Sequence, residues 1–113
     1  MTGLSDLTYE NIVKFYAVPY AEPPVRFAAP VHKKVTGEPI DATKPGFNCK
    51  SPRGDDEDCL NVNIYVPEVA LSGGNDPLPV LLNFHGGAFF VGNNDDDRLQ
   101  PEYLVQEQVI YNS

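Results

Sequence analysis

Residues 78–84 constrain the fold most: Val80, Leu81, Leu82 and Phe84 make an almost unbroken apolar run that leads straight into His85-Gly86-Gly87. A strand with one wet face alternates polar and apolar residues. A continuous apolar run instead fits a strand covered on both faces, as in a parallel sheet with helices above and below. The run therefore predicts a central strand of an α/β fold. The two glycines behind it allow a sharp turn and leave backbone N–H groups pointing into open space. Donors arranged that way can stabilise the anionic oxygen of a tetrahedral intermediate, at about 3–4 kcal/mol per donor. An ordinary Gly-Gly turn after a strand would look the same in sequence.

The rest of the chain supplies shorter elements. Residues 12–18 are rich in β-branched and aromatic side chains and stop at Pro19, which predicts a strand. Pro19, Pro23 and Pro24 exclude a helix from the next segment. Residues 28–58 hold no sustained period and are expected to form a long surface loop with short extended pieces. In residues 60–66, Val62, Ile64 and Val66 alternate with Asn61, Asn63 and Tyr65, so a second strand is expected, ended by Pro67. Residues 68–77 carry turn chemistry in Ser72-Gly73-Gly74-Asn75-Asp76-Pro77. Pro101 is suited to open a short helix through Gln108 with Leu104 and Val105 on its apolar side.

Composition excludes several function classes. The net charge is −8, with 8 Lys+Arg against 16 Asp+Glu. Nucleic acid and anionic membrane surfaces both need basic clusters, and the longest here is Lys33-Lys34. No stretch approaches the ~18 apolar residues that span a bilayer. Neither cysteine belongs to a C-x-x-C pair, and no histidine stands at zinc-ligand spacing beside them, so no metal is expected. Cys49 and Cys59 read as a disulfide closing a short loop or as two inert buried thiols. The disulfide reading favours secretion or the ER lumen. The first residues show no basic n-region or apolar h-region, which favours the cytoplasm or a start further upstream. Localisation stays open between the two.

Four segments in order carry a more specific signal. Glu57-Asp58-Cys59-Leu60-Asn61-Val62-Asn63-Ile64-Tyr65-Val66-Pro67 resembles the E-D-C-L-x-x-N-I-Y-x-P signature of type-B carboxylesterases and cholinesterases. Phe15-Tyr16-Ala17-Val18-Pro19-Tyr20-Ala21-Glu22-Pro23-Pro24 is similar to the family's F-x-G-I-P-Y-A-x-P-P, and Arg26-Phe27-Ala28-Ala29-Pro30 to its R-F-x-x-P. His85-Gly86-Gly87-Ala88-Phe89 follows at the family's distance, and Pro101-Glu102-Tyr103-Leu104 resembles its next helix.

The resemblance implies the N-terminal portion of an α/β-hydrolase fold: antiparallel edge strands plus the first central strands, incomplete. Residues 1–113 would be one partial domain, truncated before the nucleophile elbow. It implies that Gly87 and Ala88 donate the oxyanion-hole N–H groups, supported by His85 and Gly86. Ala88 stands where the family prefers glycine and can serve if its φ is negative. It also implies a disulfide between Cys49 and Cys59, and a structural salt bridge between Arg26 and Glu57. Ala17, too, replaces a family glycine. His85 is expected to shape the loop rather than act as a base.

The implied activity is serine-dependent hydrolysis of an apolar carboxylic ester by a monomer, with no cofactor. Yet Ser5, Ser51, Ser72 and Ser113 all lie outside any G-x-S-x-G, and the triad of this fold is absent from these residues. By itself the chain is expected to be inactive. The alternatives are a non-catalytic cholinesterase-like adhesion protein and a truncated gene product without activity.

Overall fold

The computed structural model describes residues 4–5, 11–52, 54, 56–73, 76–95 and 101–105. Three strands form one antiparallel sheet in the order β1-β2-β3: β1 is Leu4–Ser5, β2 is Ile12–Pro19 and β3 is Asn61–Pro67. β2 and β3 form where β-branched and aromatic residues are densest and where proline removes the next ladder donor. Both expected strands are therefore present, each including its proline.

The core is small and lies on β2. Ile12 and Phe15 are buried, together with Ala21 and Ala42 from the connection that follows. Burying side chains such as Ile12 and Phe15 contributes roughly 1.5–3 kcal/mol each. Beyond Pro19 the chain stays beside β3, with Tyr20 N–H donating to Leu60 O at 3.3 Å. Among its described residues, the long connection otherwise holds isolated bridges, Ala21 with His32 and Cys49 with Asp56.

β2 is not regular. Phe15 pairs with Ile64 and Val18 with Val62, so Tyr16 and Ala17 together face the single residue Asn63. This is a β-bulge, and Ala17 takes a φ of 53° in it. The donors that the bulge releases find other acceptors. Tyr16 N–H donates to Ala42 O at 2.8 Å, and Ala17 N–H to Asn63 Oδ1 at 3.1 Å. The positive φ explains on physical grounds why glycine would suit position 17.

Three expectations need correction. Residues 68–71, read as part of a loop, form a helical turn, α1 (Glu68–Leu71). Ser72 Oγ donates to Glu68 O at 3.3 Å, and Gly73 takes a φ of 75°, the left-handed exit that ends helices. Residues 78–84, expected as a buried central strand, form no strand among the described residues. Val80 is 92% exposed and Phe84 82%. A strand exists only in a ladder, and no described backbone hydrogen bond reaches this segment.

The third concerns Pro101. A helical turn does follow it, at residues 102–105, closed by Val105 N–H to Pro101 O at 3.0 Å. The part expected beyond it lies outside the described residues. Its buried side chain, however, is Glu102, whereas Leu104 is exposed. Glu102 faces inward because Lys14 of β2 meets it there, Nζ to Oε1 at 2.5 Å, with both side chains about nine-tenths buried. Tyr65 lines the same place, the Lys14 ammonium sitting 5.7 Å from its ring centre. Burial, with smaller contributions led by Tyr16, pushes the Tyr65 phenol up to about 12. Tyr65 therefore stays neutral beside the ion pair.

Candidate functional site

The segment from His85 to Gly92 folds into one tight left-handed turn. Gly87, Ala88 and Phe89 take φ values of 135°, 54° and 61°. The Phe90 and Val91 N–H groups both donate to Gly87 O at 3.0 Å. Positive φ at both central residues, with a bond from the fourth residue to the first, is the pattern of a type I′ turn. Glycine is required at its start, since a Cβ on Gly87 would lie 1.6 Å from Val91 O. Gly92 (φ 110°) closes the turn, where a Cβ would lie 2.2 Å from Gly86 O. At Gly86 a Cβ would meet nothing within 4 Å.

With Phe90 and Val91 committed to Gly87 O, the amides of Gly87 and Ala88 are left over. Neither donates a hydrogen bond among the described residues. Ala88 is exposed and Gly87 half-buried. Both border a cavity of about 390 Å³ lying between Cys49–Ser51 on one side and residues 85–92 on the other. Phe89 and Phe90, which also line it, are largely exposed. The cavity thus offers bare backbone donors beside apolar surface, the combination that a carbonyl with an apolar substituent requires.

The condition attached to Ala88 is not met, because its φ is positive. The N–H remains available, since a residue's own φ does not engage its hydrogen atom. The consequence is strain instead. A left-handed residue with a Cβ costs about 1–2 kcal/mol. Ala17 and Ala88 are both in this state. Ala17→Gly and Ala88→Gly should therefore each stabilise the chain by about 1 kcal/mol. The urea midpoints of the two variants check this.

The remaining sequence candidates surround this turn. His85 is exposed and its Nδ1 lies 2.8 Å from the Gly86 carbonyl oxygen. Cys49 and Cys59 form a disulfide with Cα atoms 4.9 Å apart, so the wall of the cavity formed by Cys49–Ser51 is cross-linked to the residue preceding Leu60. Closing that short loop contributes about 2–3 kcal/mol by restricting the unfolded chain. Arg26 Nη1 donates to Glu57 Oε1 in an exposed ion pair. Exposed pairs contribute only about 0–1 kcal/mol. Among the described residues no group of three or more His, Cys, Asp or Glu could hold a metal, and no helix is long and apolar enough to cross a membrane.

Sequence reading missed the groups that tie the turn to the sheet. Asn94 lies two residues beyond Gly92, and its side chain donates to Asn61 Oδ1 at 3.0 Å while its carbonyl accepts from Asn63 Nδ2 at 3.1 Å. Lys14 and Glu102 join a later turn, 102–105, to β2 across 88 positions. One signal was in view: Lys14 interrupts an otherwise apolar strand, and a charge in such a place needs a partner.

The model of the carboxylesterase family matches residues 3–111. Juvenile hormone esterase of Tribolium castaneum is 35% identical over 109 residues, 87% of this chain and 18% of that protein. Para-nitrobenzyl esterase of Bacillus subtilis (strain 168) is 35% identical over 99 residues, 75% of this chain and 19% of that protein. The crystal structure of juvenile hormone esterase from Manduca sexta, with OTFP covalently attached, superposes with a TM-score of 0.72 at 38% identity. That match covers 85% of this chain and 20% of that one. The chain thus spans about a fifth of the length of the relatives it matches, and its sheet is an incomplete N-terminal portion of their α/β-hydrolase fold. The chain belongs to the carboxylesterase family.

Proposed function

We propose that these residues supply the oxyanion-binding loop of a serine carboxylesterase, with Gly87 and Ala88 as its backbone donors. The observation that carries the reading is the pair of uncommitted amides beside a cavity with apolar walls. When a serine oxygen adds to an ester carbonyl, the carbonyl oxygen becomes an anion. Two fixed N–H groups then offer a dipole that needs no rearrangement, so they bind the transition state more strongly than the ester. The apolar surface of Phe89 and Phe90 suits a substrate with a hydrocarbon acyl or alcohol part. The Cys49–Cys59 cross-link and the Arg26–Glu57 pair act as structural supports, and His85 and Gly86 shape the loop. No cofactor takes part.

None of the serines among residues 1–113 sits on a G-x-S-x-G elbow, so on this reading the nucleophile, and the acid and base that follow it in this fold, lie outside these residues. Residues 1–113 should therefore show no turnover of an aryl acetate above the buffer rate. Turnover that a serine-directed organophosphate abolishes would refute this part. The donor role is tested in a chimera of Bacillus subtilis para-nitrobenzyl esterase carrying residues 12–105 of this chain in place of its own matching segment. The chimera should hydrolyse aryl esters, and Gly87→Ala within it, which keeps the N–H but opens the turn and misplaces it, should lower kcat about 10²–10³-fold, the loss that one missing oxyanion donor causes. A chimera that folds with its triad intact but stays inactive would favour a non-catalytic binding role instead.

A further inference from the structure

The bulge in β2 and the turn at Gly87 meet at one side chain. Asn63 is the single residue facing Tyr16 and Ala17. Its Oδ1 accepts the Ala17 N–H at 3.1 Å, and its Nδ2 donates to Asn94 O at 3.1 Å. Asn61, two residues earlier and so on the same face of β3, holds the other end of Asn94. Its Oδ1 and its backbone carbonyl accept from Asn94 Nδ2 at 3.0 and 3.5 Å. Asn94 is thus fastened to β3 through its backbone and its side chain at once.

Chemistry explains why asparagine stands at 63. The position needs an acceptor for a bulge amide on one side and a donor to a carbonyl on the other. A primary amide supplies both from a single planar group, whereas a carboxylate supplies the acceptor alone. Leucine would supply neither. Among the described residues, the backbone bonds that close the turn both go to its own Gly87 carbonyl, from Phe90 and Val91. Something outside it must fix where it sits against the sheet.

We infer that Asn63 is a positioning residue that couples the β2 bulge to the Gly87–Val91 turn and sets where the turn's open amides point. The inference rests on the oxyanion reading for its chemical meaning, but its test does not involve turnover. Asn63→Asp keeps the acceptor for Ala17 and turns the donor facing Asn94 O into a repelling oxygen. In the ¹⁵N-labelled 113-residue chain, the Phe90 and Val91 amides should then exchange with deuterium about tenfold faster or more, through local opening of the turn. The Ala17 amide should keep its wild-type rate within about twofold, because its acceptor is retained.

Asn61→Asp is the partner variant. It gives up the 3.4 Å donation from Asn61 Nδ2 to Phe47 O, away from the turn, but retains and strengthens the acceptor for Asn94 Nδ2, so Phe90 and Val91 should exchange at the wild-type rate or more slowly. The inference fails if Asn63→Asp leaves Phe90 and Val91 unchanged, which would make the turn self-supporting. It fails equally if Ala17 accelerates in step with them, since the residue would then stabilise the chain as a whole. Failure of the chimera to turn over, with these exchange rates as expected, would remove the esterase reading while leaving the coupling in place.

Discussion

Gly87→Ala opens the turn that carries the candidate donors, while Gly86→Ala, one residue away, leaves it closed. The contrast arises from backbone geometry. At Gly87 the φ of 135° belongs to a region that side chains avoid, and an added Cβ would sit 1.6 Å from Val91 O. The φ strain alone amounts to about 1–3 kcal/mol. Overlap with a backbone oxygen adds to that and cannot be relieved by a side-chain rotation, so the turn gives way. Phe90 and Val91 lose their common acceptor, and their amides should exchange at the rate of an unstructured peptide. At Gly86 the added methyl meets nothing within 4 Å, and the two amides should exchange within about twofold of wild type. Equal behaviour of the two variants would mean that the left-handed turn is not the state of this loop.

Loss of either member of the Lys14–Glu102 pair is the largest stability change expected in the chain. Both charges are withdrawn from water, and they meet at 2.5 Å. Lys14→Ala takes the ammonium away from a buried carboxylate, and Glu102→Ala takes a carboxylate away from a buried ammonium. Removing one partner of a buried pair typically destabilises by about 3–5 kcal/mol. For a domain whose whole stability is about 5–15 kcal/mol, that is a large share. The contact between the 102–105 turn and the sheet should be lost with it, seen as loss of the Val105 amide protection. The double replacement Lys14→Met with Glu102→Leu buries no charge, and it should recover most of the loss in urea unfolding. If the single and double variants unfold at the same midpoint, the pair is not the source of the stability. In contrast, Arg26→Ala should change the unfolding free energy by about 1 kcal/mol or less, because its ion pair with Glu57 is exposed.

Ala17 and Ala88 connect motif with mechanics. In sequence each is a departure from the glycine of the family motif, and nothing local says what the departure means. In the structure both have positive φ, one in the bulge and one in the turn, and Asn63 and Asn94 lie between them. The two alanines mark the same mechanical unit, visible in sequence as a motif change and in the fold as strain.

Local chemistry alone determined the two longer strands, the prolines that end them, the family, and the glycine turn with its candidate donors. Each of these depends on neighbours in sequence: β-branched density, period-two alternation, absent donors at proline, absent Cβ at glycine. Tertiary structure decided the rest. It placed two residues of β2 against Asn63, buried Glu102 rather than Leu104, and left residues 78–84 outside any described ladder despite their apolar character. These outcomes are set by partners 31, 46 and 88 positions away, or by pairing that an apolar run invites but cannot supply from its own atoms. Apolar content states what a segment would gain from being covered; only the assembled chain states what covers it.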